Sequence, residues 1–480
     1  MATSRVILGE WLPDQPGLVG ALTNAKNVYP KATGYGPFPD SVAYSEAASE
    51  NLNSVAAAIN SSAETKIFAG GANRLFLFDA NDATLDDVSL TTTGYTTSDR
   101  WRFVQFGDTM IAANGQDTLQ SFDLTTTGNT FVDLDAGAPA GKLLSVVRDF
   151  VVTANLPASN PNRVQWSGIN DPTTWSSSGV TQSDYQDIPE GGEVRGLTGG
   201  EFGLVLLERA IVRMSYIGTP LIFQFDTIAR NIGCYETNSV TQWQGVTYFL
   251  SDDGFYACNG QTIEPIGAEK VNRFFFRDVV EGNIGQMSAA IDPERNLVIW
   301  GYPSVDDVYR LMVYHIVTKR WSIIDTSVDG VATAATPSIT LEALDTYNTN
   351  LDLLGISLDS RVWVGGKILL TGVKDDKIVI FSGNNKTAYI ETSDLQTDGQ
   401  NSMITMVKPL VDGGSANISV ASRSVLSATP TYGSVASANT ENRVGVRSYG
   451  KYHRIRVTPT GATWQTAIGM DVDIVPAGGR

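Results

Sequence analysis

Residues 239–266, SVTQWQGVTYFLSDDGFYACNGQTIEPI, contain four short apolar segments separated by turn residues. Asn259-Gly260 favours a two-residue type I′ hairpin, because both central residues of that turn need a positive φ. Gln244-Gly245 and Ser251–Gly254 supply the other two turns. The strands predicted by this pattern are Ser239–Trp243, Val246–Leu250, Phe255–Cys258 and Thr262–Ile266. The stretch therefore predicts a four-stranded antiparallel meander.

The strand–turn–strand half of this unit recurs along the chain. Its turns lie near residues 71, 107, 148, 200, 244 and 293. Four-stranded propeller blades repeat about every 40–50 residues, which matches this spacing. Asn114–Thr118 also echoes Asn259–Ile263. We predict an all-β fold, a β-propeller of about six blade-like four-stranded units plus a C-terminal antiparallel β-domain. A series of β-sandwiches is the alternative, since it also has frequent turns.

The flanking segments define three predicted regions. Residues 1–62 form an N-terminal arm, in which the Ala-rich segment Val42–Ile59 predicts one short helix. Residues 63–330 form the propeller. Residues 331–480 form a β-rich region with room for a last blade and a separate β-domain, because its Ser, Thr and Val residues suit pleated strands.

The composition limits the classes of partner. The formal net charge is −17, and an acidic surface disfavours contact with nucleic-acid phosphates. This charge suits either solubility alone or a passage through which DNA slides without sticking. No stretch approaches the ~20 apolar residues of a membrane helix, and no signal peptide is predicted. Cys234 and Cys258 are predicted as free thiols, although the sequence leaves their pairing open.

The chain has only two histidines, His315 and His453. A structural zinc site needs about four cysteine or histidine ligands, and this sequence offers no such group. His315 lies in a predicted strand, where a packing role is favoured over a place in a catalytic triad. His453 lies among Lys451, Arg454 and Arg456, which form either a patch for a phosphate or an acidic partner or an ordinary solvated strand face.

Other catalytic motifs are missing from the sequence. It contains no phosphate-binding Walker loop, no nucleophile elbow and no metalloprotease helix motif. Asp252-Asp253-Gly254 is too short for a calcium loop and predicts a hairpin turn. The nine tryptophans suit wedging between blades, with a sugar-stacking platform as the alternative. We therefore expect no enzymatic activity, catalytic residue, cofactor or metal.

Several segments resemble the DNA-stabilisation or tail-nozzle proteins of short-tailed (podovirus) bacteriophages. The segments are specific as a set, and they are scattered over roughly the first 280 residues. They are Leu8–Pro16 (LGEWLPDQP), Ala25–Pro30 (AKNVYP), Gly34–Pro39 (GYGPFP), Val164–Trp175 (VQWSGINDPTTW), Glu208–Gly218 and Arg230–Cys234 (RNIGC).

The resemblance implies a structural virion protein of the phage tail. Members of that family form a ring, usually a hexamer, at the end of the portal–adaptor tube. The implied partners are further copies of the chain, a tail adaptor protein, needle or tail fibre proteins, and packaged double-stranded DNA passing through without specific binding. The implied location is the virion tail, after assembly in the host cytoplasm. The alternatives are a receptor- or carbohydrate-binding propeller and a propeller hydrolase or lyase.

Overall fold

The computed structural model is an all-β molecule, which confirms the predicted fold class. It describes residues 2–17, 20–91, 93–97, 100–337, 360, 363, 365–396 and 400–477. In that part of the chain the only α-helix is α1 (Asn272–Asp278), and no helix is long and apolar enough to cross a membrane.

The N-terminal segment contributes five short strands to sheets that are completed by distant parts of the chain. These strands are β1 (Ala2–Ile7), β2 (Leu22–Lys26), β3 (Val28–Pro30), β4 (Tyr35–Pro37) and β5 (Pro39–Ala43).

Six four-stranded antiparallel units, blades 1 to 6, follow in chain order. Their strands are β6–β9 (Leu52–Ile59, Thr65–Gly71, Leu75–Phe78, Leu85–Asp87), β10–β13 (Arg102–Phe106, Thr109–Ala113, Gln120–Asp123, Val132–Asp133), β14–β17 (Leu143–Val147, Phe150–Leu156, Asn160–Trp166, Asp184–Asp187), β18–β21 (Val194–Thr198, Gly203–Leu207, Ala210–Gly218, Ile222–Arg230), β22–β25 (Thr241–Trp243, Val246–Ser251, Gly254–Cys258, Ile263–Pro265) and β26–β29 (Ser288–Asp292, Leu297–Pro303, Tyr309–His315, Arg320–Thr326).

A seventh blade brings the two ends of the propeller together. Its strands β30 (Gly330–Thr336), β31 (Lys367–Lys374) and β32 (Lys377–Asn385) come from the C-terminal side. Its fourth, outer strand is β5, which pairs antiparallel with β32 and places Val42 opposite Ile380. The described residues therefore contain seven blades, the last of which joins segments more than 300 residues apart.

The blades form a closed ring, because a buried apolar cluster lies between each consecutive pair. Blades 7 and 1, for example, share Tyr44, Phe76 and Ile378, and the first strand of each blade lies nearest the centre of the ring. Within the described residues, the seven clusters cover the seven boundaries between blades. Burial of both faces explains why the strands read as continuous apolar runs.

A β-sandwich packs against the ring beside blades 5 and 6. One of its sheets has the order β3-β4-β39-β35-β37, with β1 on β39. The other continues the sheet of blade 6 through β2, β33, β38 and β34, with β36 on β38. Its C-terminal strands are β33 (Tyr389–Thr392), β34 (Leu395–Gln396), β35 (Ser402–Asp412), β36 (Ser415–Arg423), β37 (Val444–Gly450), β38 (Tyr452–Thr460) and β39 (Thr466–Pro476).

The short helix predicted over Val42–Ile59 is wrong. Residues Leu52–Ile59 form β6, the innermost strand of blade 1. The alanines of this strand lie where adjacent blades converge, and small side chains fit that crowded position, so tertiary packing overrides their helix propensity. This error also displaced the first predicted turn, since Gly70-Gly71 ends the second strand of blade 1 rather than its first.

Two details of the turn chemistry also differ from the prediction. At Asn259-Gly260 only the glycine has a positive φ, and the Asn259 side chain accepts hydrogen bonds from the N–H groups of Gln261 and Thr262. Asn114 makes the same kind of turn, but between the second and third strands of its blade. The sequence echo therefore marks a shared turn rather than an equivalent blade position.

The three predicted regions divide differently in space. Residues 1–62 contribute strands to the sandwich, to blade 7 and to blade 1 instead of forming a free arm. The propeller extends from Pro39 to Asn385, beyond the predicted span of 63–330, because its closing strand comes from the N-terminal segment. The C-terminal region holds a last blade and the main part of the sandwich.

Replacing Tyr44 tests the closure of the ring. Tyr44 is buried, stacks on Phe78 with ring centroids 5.0 Å apart, and donates its N–H to the Ile378 carbonyl at 2.8 Å. We expect Tyr44→Ala to lower the free energy of unfolding by about 3–5 kcal/mol, because it leaves a cavity between blades 7 and 1. Denaturant titration measures this loss.

The exposed Glu46→Ala is the matched control on the same segment. Glu46 forms only a 3.5 Å ion pair with Lys377, and such surface pairs contribute about 0–1 kcal/mol. Equal losses in the two variants would contradict a closure that depends on Tyr44.

Candidate functional site

His453 is buried inside the sandwich and is held by two serines. Its Nε2 lies 2.9 Å from the Ser402 hydroxyl, and its Nδ1 lies 2.7 Å from the Ser422 hydroxyl. Burial lowers the pKa of His453, so the ring is neutral at neutral pH. No acid partner among the described residues hydrogen-bonds this imidazole, and the arrangement fixes β35, β36 and β38 relative to one another.

The two arginines near His453 form ion pairs within the sandwich. Arg454 lies 3.1 Å from Asp394, a buried carboxylate that also accepts from Arg423 at 2.5 Å. Arg456 pairs with Glu391 at 2.7 Å and covers the ring of Tyr432. These guanidinium groups therefore hold the sandwich together, which neither the phosphate-patch nor the solvated-face interpretation anticipated.

His315 and the cysteines also have structural positions. His315 ends β28, where its Nδ1 accepts from the N–H groups of Val317 and Thr318 at 3.2 Å and shapes the turn. Cys234 and Cys258 are free thiols buried in the cluster between blades 4 and 5. Burial raises the pKa of Cys234 to about 12, which suppresses the reactive thiolate.

No group of three or more metal-ligating residues exists in the described part of the chain. Asp252 and Asp253 turn the chain between two strands of blade 5, and Asp253 accepts a hydrogen bond from the Tyr256 hydroxyl at 2.7 Å.

Most of the tryptophan side chains are buried rather than displayed as a stacking platform. They are Trp11, Trp101, Trp166, Trp175, Trp300, Trp321 and Trp464.

Charge is divided sharply between the two parts of the molecule. Residues 1–37 and 386–480, which build most of the sandwich, contain 12 Lys and Arg against 9 Asp and Glu. Residues 38–385, the span within which all described propeller strands lie, contain 22 against 42. The sandwich segments therefore carry a formal charge of +3 and the propeller −20. Composition contained this asymmetry, but only the fold shows that the N-terminal residues belong with the C-terminal ones.

The sandwich presents a strand edge that no other described strand pairs with. Strand β37 ends its sheet, and among the described strands its backbone pairs only with β35. On this strand Tyr449 is 56% exposed, and Val435 in the adjoining loop is 68% exposed. Arg447 on β37 and Lys408 on the neighbouring β35 are exposed and form no ion pair with any described residue, although Lys408 lies opposite Asp471 and contributes to the lowered pKa of that carboxyl. We call these four residues and β37 the sandwich edge. Free edges of this kind pair readily with other chains.

Three outer pockets are further features of the surface. One of about 840 Å³ lies between the N-terminal segment and α1 and includes Asp14, Arg273 and Phe276. Another of about 600 Å³ lies across blades 3 and 4 and includes Phe225 and Arg209. A third, of about 490 Å³, includes His315, Glu294 and Arg295, but the Nδ1 of His315 is occupied by the N–H groups of its own turn.

Comparison with known proteins does not name a family. No family model matches the sequence, and no curated protein matches it. Among solved structures, the chain is similar to the crystal structure of the computationally designed Ika8 protein, with 11% identity and a TM-score of 0.38. That match covers 72% of this chain and 99% of the designed chain, and similarity at this level carries no argument about function.

The buried histidine predicts a pH dependence of stability. Because the folded pKa of His453 lies below its unfolded value of about 6.5, the unfolded chain gains the proton first as pH falls. Stability is therefore lost below about pH 6.5 and is unaffected by this group above it. We expect His453→Asn to reduce the slope of unfolding free energy against pH in this window, measured by denaturant titration.

His315→Asn provides the comparison for this measurement, since burial also lowers the pKa of His315. The double variant should have the smallest slope. An unchanged slope in His453→Asn would contradict a neutral, buried imidazole.

Proposed function

We propose that this protein is a nozzle subunit in the tail of a short-tailed bacteriophage, a structural component that closes the portal–adaptor tube. The observation that carries this proposal is the division of charge between a strongly acidic propeller and a weakly basic sandwich. Together with the sequence segments that resemble nozzle proteins, it favours assembly and passage of DNA over chemistry.

The charge division supports association of identical subunits head to tail. A basic surface on one subunit is complementary to an acidic surface on the next, and such unlike contacts generate rings when the rotation closes. The resemblance to nozzle proteins supplies the expected number of six subunits. A permanent contact of this type buries more than about 2,000 Å².

The sandwich edge is the surface that we assign to this contact. Tyr449 and Val435 supply exposed apolar area, while Arg447 and Lys408 supply positive charge without an ion-pair partner among the described residues. Burying these side chains against a neighbouring acidic propeller removes apolar surface from water and provides counterions for both cations. The free backbone groups of β37 offer additional hydrogen bonds.

The acidic propeller suits a channel that handles DNA without gripping it. Binding to the phosphate backbone depends on lysine and arginine, and residues 38–385 contain 20 more acidic than basic side chains. Repulsion between carboxylates and phosphates keeps the packaged double-stranded DNA from adhering, so it is retained by closure of the tube and slides freely on ejection.

The proposed partners follow from the same role. A tail adaptor protein binds one face of the ring, and needle or tail fibre proteins bind the other. The protein resides in the virion tail after assembly in the host cytoplasm. We propose no catalytic residue or cofactor for this role.

A receptor- or carbohydrate-binding propeller is the second candidate. The pocket across blades 3 and 4 supports it, because Phe223 and Phe225 lie beside Arg209 and Glu190 and sugars bind to such mixed aromatic and polar surfaces. The buried tryptophans disfavour it. A glycan array distinguishes the candidates, since specific glycan binding that is lost in Phe225→Ala would favour this second function.

Charge reversal at the sandwich edge tests the ring. We expect mass photometry and negative-stain microscopy of the purified protein to show closed rings, and Arg447→Glu with Lys408→Glu to shift the population toward monomers. Raising salt from about 0.15 M to about 1 M should weaken the wild-type ring, since screening shortens the Debye length from about 8 Å to about 3 Å.

Lys142→Glu is the control, because Lys142 is an exposed propeller cation away from the sandwich edge. This variant should assemble as the wild type does. A wild-type protein that remains monomeric at every concentration and salt level, and is absent from virions, would refute the nozzle proposal.

A further inference from the structure

Two arginines lie at one mouth of the propeller's own central channel, which is the space enclosed by the first strands of the seven described blades. Arg102 begins β10, the inner strand of blade 2, and Arg100 immediately precedes it. The Arg102 Nη2 donates to the Asn238 side-chain oxygen at 2.5 Å and approaches the Thr237 carbonyl at 3.4 Å. Asn238 belongs to the segment that enters blade 5. Because blades 3 and 4 separate these elements around the ring, the contact crosses the channel.

Neighbouring hydrogen bonds hold this mouth in place. Asn238 donates its side-chain N–H to the Gly285 carbonyl at 2.8 Å, which ties blade 5 to the segment entering blade 6. The Tyr309 hydroxyl lies 2.8 Å from that of Ser288 and donates to the Gln286 carbonyl at 3.2 Å. Arg100 is close enough to Tyr309 for their charges to interact. The surrounding groups are therefore fixed before any ligand arrives.

Two positive charges lie near one carboxylate at this mouth. Among the described residues, neither arginine forms an ion pair, and Arg100 makes no hydrogen bond. Glu236 is the nearby carboxylate. Its Oε1 accepts from the Asn238 N–H at 3.0 Å, and its negative charge favours the charged form of both arginines. Burial and the charge of Arg100 lower the pKa of Arg102 to about 10, so both guanidinium groups remain charged at neutral pH. Both arginines are only partly buried, and two positive charges that share one carboxylate favour an additional anion.

We propose that Arg100 and Arg102 form a binding site for a small oxyanion, a phosphate or a carboxylate group, at the mouth of the propeller channel. A guanidinium group binds either anion through two parallel N–H···O bonds. Arg100 has all its donors available, and Arg102 keeps those not used by Asn238 and Thr237. The anion supplies the missing negative charge and joins blade 2 to the segments entering blades 5 and 6. This site is independent of the nozzle proposal.

Calorimetric titration of the purified full-length protein with inorganic phosphate tests the site. Two charge-assisted contacts predict a Kd between about 6 mM and about 0.04 mM. Acetate, titrated separately at matched ionic strength, identifies the carboxylate alternative, and chloride is the reference. We expect phosphate or acetate to bind with 1:1 stoichiometry and to raise the thermal unfolding midpoint more than chloride does.

Arg100→Gln should weaken this binding at least tenfold, whereas Arg277→Gln, at an exposed arginine of α1, should leave it unchanged. Arg100→Lys keeps the charge and loses the paired donors, so it should bind with intermediate affinity and serves if Arg100→Gln does not fold. Equal binding by the wild type and both Arg100 variants would overturn the assignment, as would failure of both phosphate and acetate to bind the wild type.

Discussion

The pairing of β5 with β32 is the interaction on which the architecture depends. Each blade buries both faces against its neighbours, so a gap between blades 7 and 1 would expose an apolar cluster on both sides. The outer strand Pro39–Ala43 closes that gap and is separated from its partner by nearly the whole propeller. The entropic cost of closing so long a loop grows only logarithmically with length, whereas the apolar area buried grows with the size of the boundary.

The same N-terminal segment connects the ring to the sandwich. Strands β1 to β4 complete the sandwich sheets before β5 enters blade 7, and β2 continues the sheet of blade 6. The core at this junction is also continuous, since Trp11 and Trp321 belong to one cluster. The acidic and basic parts of the molecule are therefore joined through hydrogen bonds and packing, which fix the position of one part relative to the other.

Most residues whose side chains could take part in catalysis or binding have structural roles instead. Asp394 balances Arg423 and Arg454 inside the sandwich, and Arg310 pairs with Asp278, Asp306 and Asp325 beside blade 6. A buried ion pair with complete hydrogen bonding adds little net stability, but removing one partner leaves an uncompensated charge. The channel mouth differs from these networks, because among the described residues its two arginines form no ion pair and share the nearby carboxylate Glu236.

The sequence by itself determined the all-β class, the four strands within residues 239–266 and the excess of negative charge, because turn residues and apolar runs act locally. It misassigned Leu52–Ile59, whose alanines favour a helix in isolation but suit the crowded centre of a ring. Tertiary structure alone decided that His453 is buried, that Pro39–Ala43 completes blade 7 and that Arg102 reaches Asn238 across the channel. These features depend on contacts between residues far apart in the chain, which local propensity does not encode.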